Sequence, residues 1–427
     1  MGSASSSSCT ASGAPNSSST AARILIVGLL VSRSSAPIVR PRRALHCGRV
    51  SADVLIGVYP PAELSVLHAR RTTPAWPLAE AGLTLTHLGR GAVWLALRAL
   101  GLRGGSRLAM PAYHCGSEVE AAHLAGLEVE FYRVDDQLRV DEDDLARVAA
   151  VTDAVYLISC FGFPTVARPS GSRVIEDAAH GLFSLHAGTP VGAGAEAAVF
   201  CPRKSLGTPD GGAVVVPAGR QIDVSEGRAP VRPMARSVAS LVAARAAIAR
   251  RRQLRARAAR AIARMSRGDA AAREGTLTET VIGEWNLEVG DMEAAARAPS
   301  RLTAAVLGRV DGAAIRARRR RNYLRLRDEL AELTLEPFRD LAEGTCPLYF
   351  PLLAGDRSRA IAALLARGVR PLEIWPVPHP ILDRRRFPEP ERARLSLLAL
   401  PVHQALEDWH MDIVLAAVKD VLAKPSA

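Results

Sequence analysis

Hydrophobic and polar positions from about Val54 to Pro217 switch repeatedly between two periods. Ala92 to Leu102 carries apolar residues at helical spacing and runs into Gly101, which predicts a helix with a glycine stop. Ser106 to Met110 predicts a short strand ending at Pro111. Glu118 to Leu127 predicts a helix and Val129 to Val134 a strand. Leu145 to Ala150 predicts a helix, and the apolar run Ala154 to Cys160 a strand. Arg173 to Ile175, Ala197 to Phe200 and Ala213 to Val216 complete the set of strands. Strands alternating with helices argue for an α/β domain around a largely parallel sheet. Ligands of such sheets sit at the carboxyl ends of the strands. Pro111-Ala112-Tyr113-His114, Asp177-Ala178-Ala179-His180 and Lys204 all follow predicted strand ends.

Outside this stretch the pattern changes. Residues 1–52 are rich in Ser, Ala and Arg, with one short apolar run, Ile24 to Val31. That run is short for an export signal and is followed by arginines, so the segment reads as a disordered extension or a start placed too early. Residues 53–332 read as the large domain, interrupted at 229–275 by an Ala- and Arg-rich helical insert. Its stretch 236–267 holds ten arginines and no acid, which suits a solvated helix or a contact with an acidic surface. Aromatic residues are nearly missing there, so stacking on single-stranded nucleic acid is not expected. From 333 to 427 a smaller α/β segment follows, with a strand at Leu348 to Leu353, a helix at Ala360 to Arg367 and an amphipathic helix at Met411 to Leu422.

The 427 residues are 48% hydrophobic and 23% charged, with no apolar run long enough to span a membrane. Gly, Pro and Cys contents exclude fibrous and disulfide-stapled classes. Six scattered cysteines without a CxxC pair suit a reducing, cytoplasmic setting and predict no metal site. The net charge of +12 brings in polyanions as partners, but how the charge is built is more informative. Of 55 basic residues only Lys204, Lys419 and Lys424 are lysines. Arginine keeps its proton at every useful pH, whereas a lysine amine can lose it and act as nucleophile or base. One internal lysine among arginines therefore points to chemistry that needs an amine.

The densest chemistry lies in Glu176-Asp177-Ala178-Ala179-His180-Gly181, then Gly192-Ala193-Gly194-Ala195-Glu196, then Cys201-Pro202-Arg203-Lys204-Ser205-Leu206-Gly207. A strand-end acid followed by a lone lysine, with Gly-rich turns between, suits an aldehyde cofactor. The lysine holds the aldehyde carbon as a Schiff base and the acid keeps a ring nitrogen protonated, the pairing pyridoxal 5'-phosphate (PLP) requires. Taken singly, Asp177 is also a helix-capping residue type, His180 a core type and Lys204 a surface type.

At these residues the sequence resembles the DegT/DnrJ/StrS family of sugar aminotransferases, PLP enzymes of fold type I. The resemblance extends to Gly89-Arg90-Gly91-Ala92, Met110-Pro111-Ala112-Tyr113, Phe161-Gly162-Phe163-Pro164 and Pro209-Asp210-Gly211-Gly212. It continues in Glu284-Trp285-Asn286-Leu287 with Asp291-Met292-Glu293-Ala294-Ala295, and in Leu395 to Pro401, which is similar to the family's L-S-L-P turn. The resemblance implies a mostly parallel seven-stranded sheet in the large domain and a smaller C-terminal α/β domain. It implies Lys204 as the cofactor lysine and proton shuttle, and Asp177 as partner of the pyridine nitrogen. It places His180 near the phenolic oxygen, and Gly89, Arg90 and Cys201 at the phosphate. It places either His114 or Cys115 as the residue stacked on the ring. It implies that Asn286 reaches the cofactor of a second subunit, hence a homodimer with shared sites.

Three departures from the family bear on substrate choice. Cys201 stands for a phosphate-binding serine, and a thiol is the weaker donor. Neither His114 nor Cys115 is the expected large aromatic. Glu288 stands for an arginine in the partner-subunit loop. The amine at Lys204 favours transamination over the dehydration that relatives with histidine there perform. The expected function is amino transfer from an amino acid, glutamate foremost, to a keto acceptor of the nucleotide-sugar kind in polysaccharide or secondary-metabolite synthesis. The alternatives are a degenerate or different-reaction homologue of the PLP fold and a basic nucleic-acid or membrane-surface binder acting through 236–267.

Overall fold

Seven strands form the main sheet of the computed structural model: β1 (Leu83–Thr86), β2 (Arg107–Pro111), β3 (Glu128–Tyr132), β4 (Ala154–Ile158), β5 (Val174–Asp177), β6 (Ala197–Phe200) and β7 (Gly212–Val215). The structure describes residues 54–422 except 70–74, 166, 221, 223, 225–226, 228–230 and 250–290. The expectations for 1–52, for most of the arginine-rich insert and for Asn286 and Glu288 lie outside the described residues.

The strand order is β1-β7-β6-β5-β4-β2-β3. Neighbours pair in parallel from β6 through β3, while β7 runs antiparallel to both β6 and β1. This is the expected mostly parallel sheet, and most boundaries fall within two residues of those read from the pattern. β1 was not legible, because Leu83-Thr84-Leu85-Thr86 is short and lies between turn residues.

Helices supply the crossovers. α1 (Gly89–Ala99) begins at Gly89 rather than Ala92, and buries Ala92, Val93, Leu95, Ala96 and Leu97 against the sheet. α2 (Ser117–Leu124) follows β2. α3 (Glu142–Ala149) follows β3, with Asp141 accepting the Asp144 N–H as its cap and three acids in its first turn. α4 (Pro202–Leu206) follows β6 and ends at Gly207, whose φ of 61° is left-handed. A Cβ there would come within 2.3 Å of the Pro61 carbonyl oxygen, so glycine lets the segment at Pro60-Pro61 pass close beside the helix end. α5 (Val231–Ala247) is the described part of the arginine-rich insert. α6 (Met292–Ala296), α7 (Arg301–Leu307) and α8 (Gly312–Leu330) follow.

The C-terminal part forms its own antiparallel sheet, ordered β8 (Tyr349–Leu353), β10 (Leu397–Pro401), β9 (Leu372–Glu373), with α9 (Arg357–Ala366), α10 (Glu391–Ser396) and α11 (Asp408–Leu422). Leu395 to Pro401 is thus the end of a helix running into a buried strand, not a turn: Leu397, Leu398, Ala399 and Leu400 are all buried, and their burial holds the segment extended. Ile56–Gly57 pairs in parallel with Val369–Arg370. Among the described residues no helix is long and apolar enough to cross a membrane.

Candidate active site

The carboxyl ends of β4, β5 and β6 and the start of α1 enclose a cavity of about 380 Å³. Strand polarity dictates this. At those ends the chain leaves the sheet into loops, and the side chains there are aimed at one another. Gly89, Arg90, Cys115, Asp177, His180, Cys201 and Lys204 all line the cavity. Residues separated by more than a hundred positions are thereby brought together as the chemistry demands.

Lys204 projects from α4. Its Nζ lies 3.0 Å from His180 Nε2. The other ring nitrogen, Nδ1, accepts the Phe161 backbone N–H at 3.2 Å. A neutral ring accepting at Nδ1 carries its proton on Nε2. In that tautomer His180 donates to Lys204 Nζ when the amine is neutral. Burial, followed by the nearby lysine, drives the His180 pKa well below that of an ordinary histidine, so the ring stays neutral. Lys204 itself is pulled two ways. Burial disfavours its ammonium, while Cys201, Cys115, Tyr59 and Asp177 favour it, and its pKa lies above the ordinary lysine value. The two His180 hydrogen bonds thus favour the amine, while the surrounding groups favour the ammonium.

Asp177 ends β5. One oxygen accepts the Tyr156 hydroxyl at 2.8 Å and the other the Ala179 N–H at 2.8 Å. Burial raises its pKa, and the Lys204 charge and these two donors work against the rise. Its position is held firmly from the protein side. Glu176, its neighbour on the opposite face of the strand, is buried and paired with Arg168 and Ser159.

The two candidates for the ring-stacking position separate. Cys115 lines the cavity. Its thiol is pushed up to about 11, by burial first and then by Glu118. His114 does not line it. The His114 ring is buried, stacked on Phe131 with centroids 5.3 Å apart, with Nδ1 3.0 Å from the Pro111 carbonyl and Nε2 accepting the His379 N–H at 3.1 Å.

At the start of α1 the cap residue is Leu88, which has no side-chain acceptor, and the first turn has no acid. The helices α3, α6, α7, α8 and α9 each begin with an Asp or Ser that accepts a backbone N–H. Leu88, Gly89 and Arg90 line the cavity at this helix start, which has no side-chain cap, the arrangement that suits an anion. A Cβ at Gly89 would lie 3.3 Å from the Cys201 sulfur, so any larger residue there crowds the Cys201 side chain.

Sequence reasoning missed four contributors. Tyr156 positions Asp177 from the adjacent strand. Glu118, buried at the start of α2, lines the cavity and accepts the Cys115 N–H at 2.8 Å. Burial first, then the Asp177 charge, raise its pKa. Tyr59 and Trp375 come from remote segments. Trp375 stacks on His180 at 5.3 Å in a left-handed conformation, φ 44°, with its carbonyl held by the buried Arg394 guanidinium at 3.1 Å. None has a local signal: an acid at a helix start reads as a dipole partner, and a lone Trp as core.

Residues 83–225 match the family described as DegT/DnrJ/EryC1/StrS aminotransferase. The matched stretch runs from β1 to just past β7 and holds most of the residues that line the cavity. No curated protein matches the chain. Among solved structures it is similar to DesV of S. venezuelae, at 20% identity over 81% of this chain and 85% of that one, with a TM-score of 0.54. The aminotransferase TlmJ of Streptoalloteichus hindustanus aligns at 19% identity over 87% and 98%, with a TM-score of 0.55. The sugar aminotransferase CalS13 of Micromonospora echinospora aligns at 18% over 86% and 100%, with a TM-score of 0.53. At these identities the likeness is one of fold, the PLP fold type I. The residues present fit the cofactor: an uncapped helix start for its phosphate, a fixed carboxylate for its ring nitrogen, an amine for its aldehyde.

Proposed function

We propose that the chain moves an amino group from glutamate, or a similar amino acid, to the keto group of a nucleotide-linked sugar. The observation that carries the reading is the meeting of the Lys204 amine, the Asp177 carboxylate and the uncapped start of α1 in one cavity. PLP bound there would supply a protonated ring that accepts the electron pair released when the donor loses its α-proton. Lys204 Nζ would take that proton and deliver it to the carbon on the other side of the transferred nitrogen, a role that general acid–base groups fill with about 10²–10⁴-fold effect. His180 holds Nζ in place and, being neutral, leaves it basic. Asp177, fixed by Tyr156 and Ala179, would balance the ring's positive charge. Gly89, Arg90 and Cys201 would hold the phosphate. The sugar assignment is supported by the family match, by CalS13, and by DesI, a neighbour of the same fold solved with its TDP-sugar product. Synthesis of a polysaccharide or secondary metabolite, a cytoplasmic setting and a homodimer sharing Asn286 belong to the same proposal.

The test is the visible absorbance of protein given PLP, followed by borohydride trapping and peptide mapping. A chromophore trapped on Lys204 and bleached by glutamate is expected, and Lys204→Ala should abolish the trapping. A label found on Lys419 or Lys424, or no chromophore, would overturn the proposal.

A further inference from the structure

Trp375 lines the catalytic cavity with its backbone left-handed at φ 44°, a region that a residue with a Cβ seldom adopts. Its indole stacks on the His180 ring at an interplanar angle of 26°. His180 Nε2 in turn lies 3.0 Å from Lys204 Nζ. A strained turn of this kind persists only where its neighbours hold it. The group that holds it is Arg394 on α10, which is buried and does not itself line the cavity.

One guanidinium reaches two separate segments. Arg394 Nη1 donates to the Trp375 carbonyl at 3.1 Å, and Nη2 to the Ala112 carbonyl at 2.6 Å. The His114 carbonyl lies 3.5 Å from Nη1. The guanidinium carbon stands 5.1 Å from the centroid of the Tyr113 ring, which packs on the Trp375 indole with centroids 5.1 Å apart. Ala112 to His114 lead directly into Cys115, another residue of the cavity wall. The turn with Cys115 follows β2 and the turn with Trp375 follows β9, so the two walls come from different sheets. A planar fork whose donors point in different directions can bridge two backbones, whereas a lysine ammonium is a point donor. A buried cation needs polar partners in place of its water. The Glu391 carboxylate stands 3.6 Å from Nε, and the hydrogen bonds go to the carbonyls of the two walls. The guanidinium is therefore satisfied when those walls are in register.

We propose that Arg394 is a positioning residue for amino transfer: it seats the Trp375 indole on His180 and so fixes the direction from which His180 meets the Lys204 amine. The inference rests on the proposed function and adds to it a control of Lys204 from the C-terminal part of the chain. Arg394 acts through Trp375, since it does not line the cavity. An indole released from its turn leaves one face of the His180 ring without its partner, and Nε2 loses its fixed line to Nζ. Proton transfer at Nζ depends on that line, whereas binding of the donor does not. The rate at saturating donor is therefore the quantity that responds.

The experiment uses the full chain and two readouts. The chain has five tryptophans, so Trp375 emission is taken as the difference between each protein and its Trp375→Phe counterpart. Its quenching by acrylamide is measured without PLP. Bleaching of the Lys204-bound chromophore by glutamate is measured in PLP-loaded protein. Arg394→Met should raise the acrylamide quenching of Trp375 about twofold, as the released indole meets solvent. It should slow bleaching at saturating glutamate roughly tenfold, the scale of a small misplacement at a reacting centre, and leave the half-saturating concentration unchanged. Trp375→Ala should slow bleaching as much, and adding Arg394→Met to it should slow it no further. Arg320→Met removes a guanidinium bonded to the Leu341, Ala342 and Thr345 carbonyls, outside the cavity, and should change neither readout. If Arg394→Met does not fold, Arg394→Lys carries the test, because it keeps the buried charge and loses the fork. Quenching or bleaching unaltered by the Arg394 variants would overturn the proposal. So would wild-type bleaching by Trp375→Ala, or slowing that adds across the two positions. Equal slowing by Arg320→Met would reduce the effect to general loosening and overturn it as well. Wild-type protein that glutamate does not bleach would instead sink the aminotransfer reading, while the acrylamide arm still reports whether Arg394 holds Trp375.

Discussion

Asp177 shows what a single residue contributes here. Its two oxygens are committed to Tyr156 and Ala179, so its position is set by the protein and not by a ligand. Asp177→Asn keeps the shape and removes the charge. Amino transfer should fall by about 10²-fold or more, the scale of a lost electrostatic partner at a reacting centre, while PLP still binds. Stopped-flow absorbance with glutamate checks this. Bleaching at the wild-type rate would remove Asp177 from the chemistry. At the same scale the lone lysine and the strand-end acid were legible in the sequence, because residue type and order follow from the chemistry. Glu118 and Trp375 were not, because their significance depends on what lies next to them in space.

At the scale of elements, α4 is the critical piece, because a five-residue helix cannot hold itself rigid. Two side chains fix its last turn. Arg319 Nη2 and Gln404 Nε2 each donate to the Ser205 carbonyl at 3.0 Å. Arg319 is buried, and its remaining N–H groups reach the Gln404 side-chain oxygen and the Pro347 and Leu348 carbonyls. It is a buried cation satisfied by carbonyls, and burial pulls its pKa below the ordinary arginine value. Arg319→Met should cost about 3 kcal/mol, because it leaves several buried acceptors without donors. As a positioning residue it should also change the absorbance maximum and titration of the Lys204-bound chromophore in protein that remains folded. Denaturant titration and a spectral pH titration measure the two effects. An unaltered spectral titration would leave Arg319 with a stabilising role alone. The helices α1, α2, α3, α9 and α11 and every strand of the main sheet except β1 were visible in the apolar pattern. Gln404 and Arg319, which align α4 from far along the chain, were not.

At the scale of the whole molecule, acid sensitivity follows from buried neutral histidines. His114, His180 and His403 are buried, and burial first, then neighbouring positive charge, lower their pKa values, that of His114 to about 3. The unfolded chain takes up a proton on each near the ordinary value of about 6.5. Below that pH the unfolded state binds more protons, so stability falls as the pH drops, by roughly 1.4 kcal/mol per unit for each such histidine. For His114 the loss continues to about pH 3. Asp177 and Glu118, raised by burial, act in the opposite direction, since they favour the folded state once protonated. Three histidines against two partly compensated carboxyls leave a net loss. Denaturation midpoints between pH 7 and pH 4 should fall, and fall less steeply for His114→Asn. Identical slopes for the variant would contradict the buried neutral ring.

The sequence by itself determined the alternation of helix and strand, the cofactor chemistry and the acid–lysine pair. Those depend on local periodicity and on which side chains can do a given reaction. Tertiary structure alone decided which of His114 and Cys115 faces the cavity, since adjacent residues in a turn point in different directions. It also decided that Tyr59, Glu118 and Trp375 join the site. Packing sets such meetings, and packing sums over contacts that no stretch of sequence contains on its own.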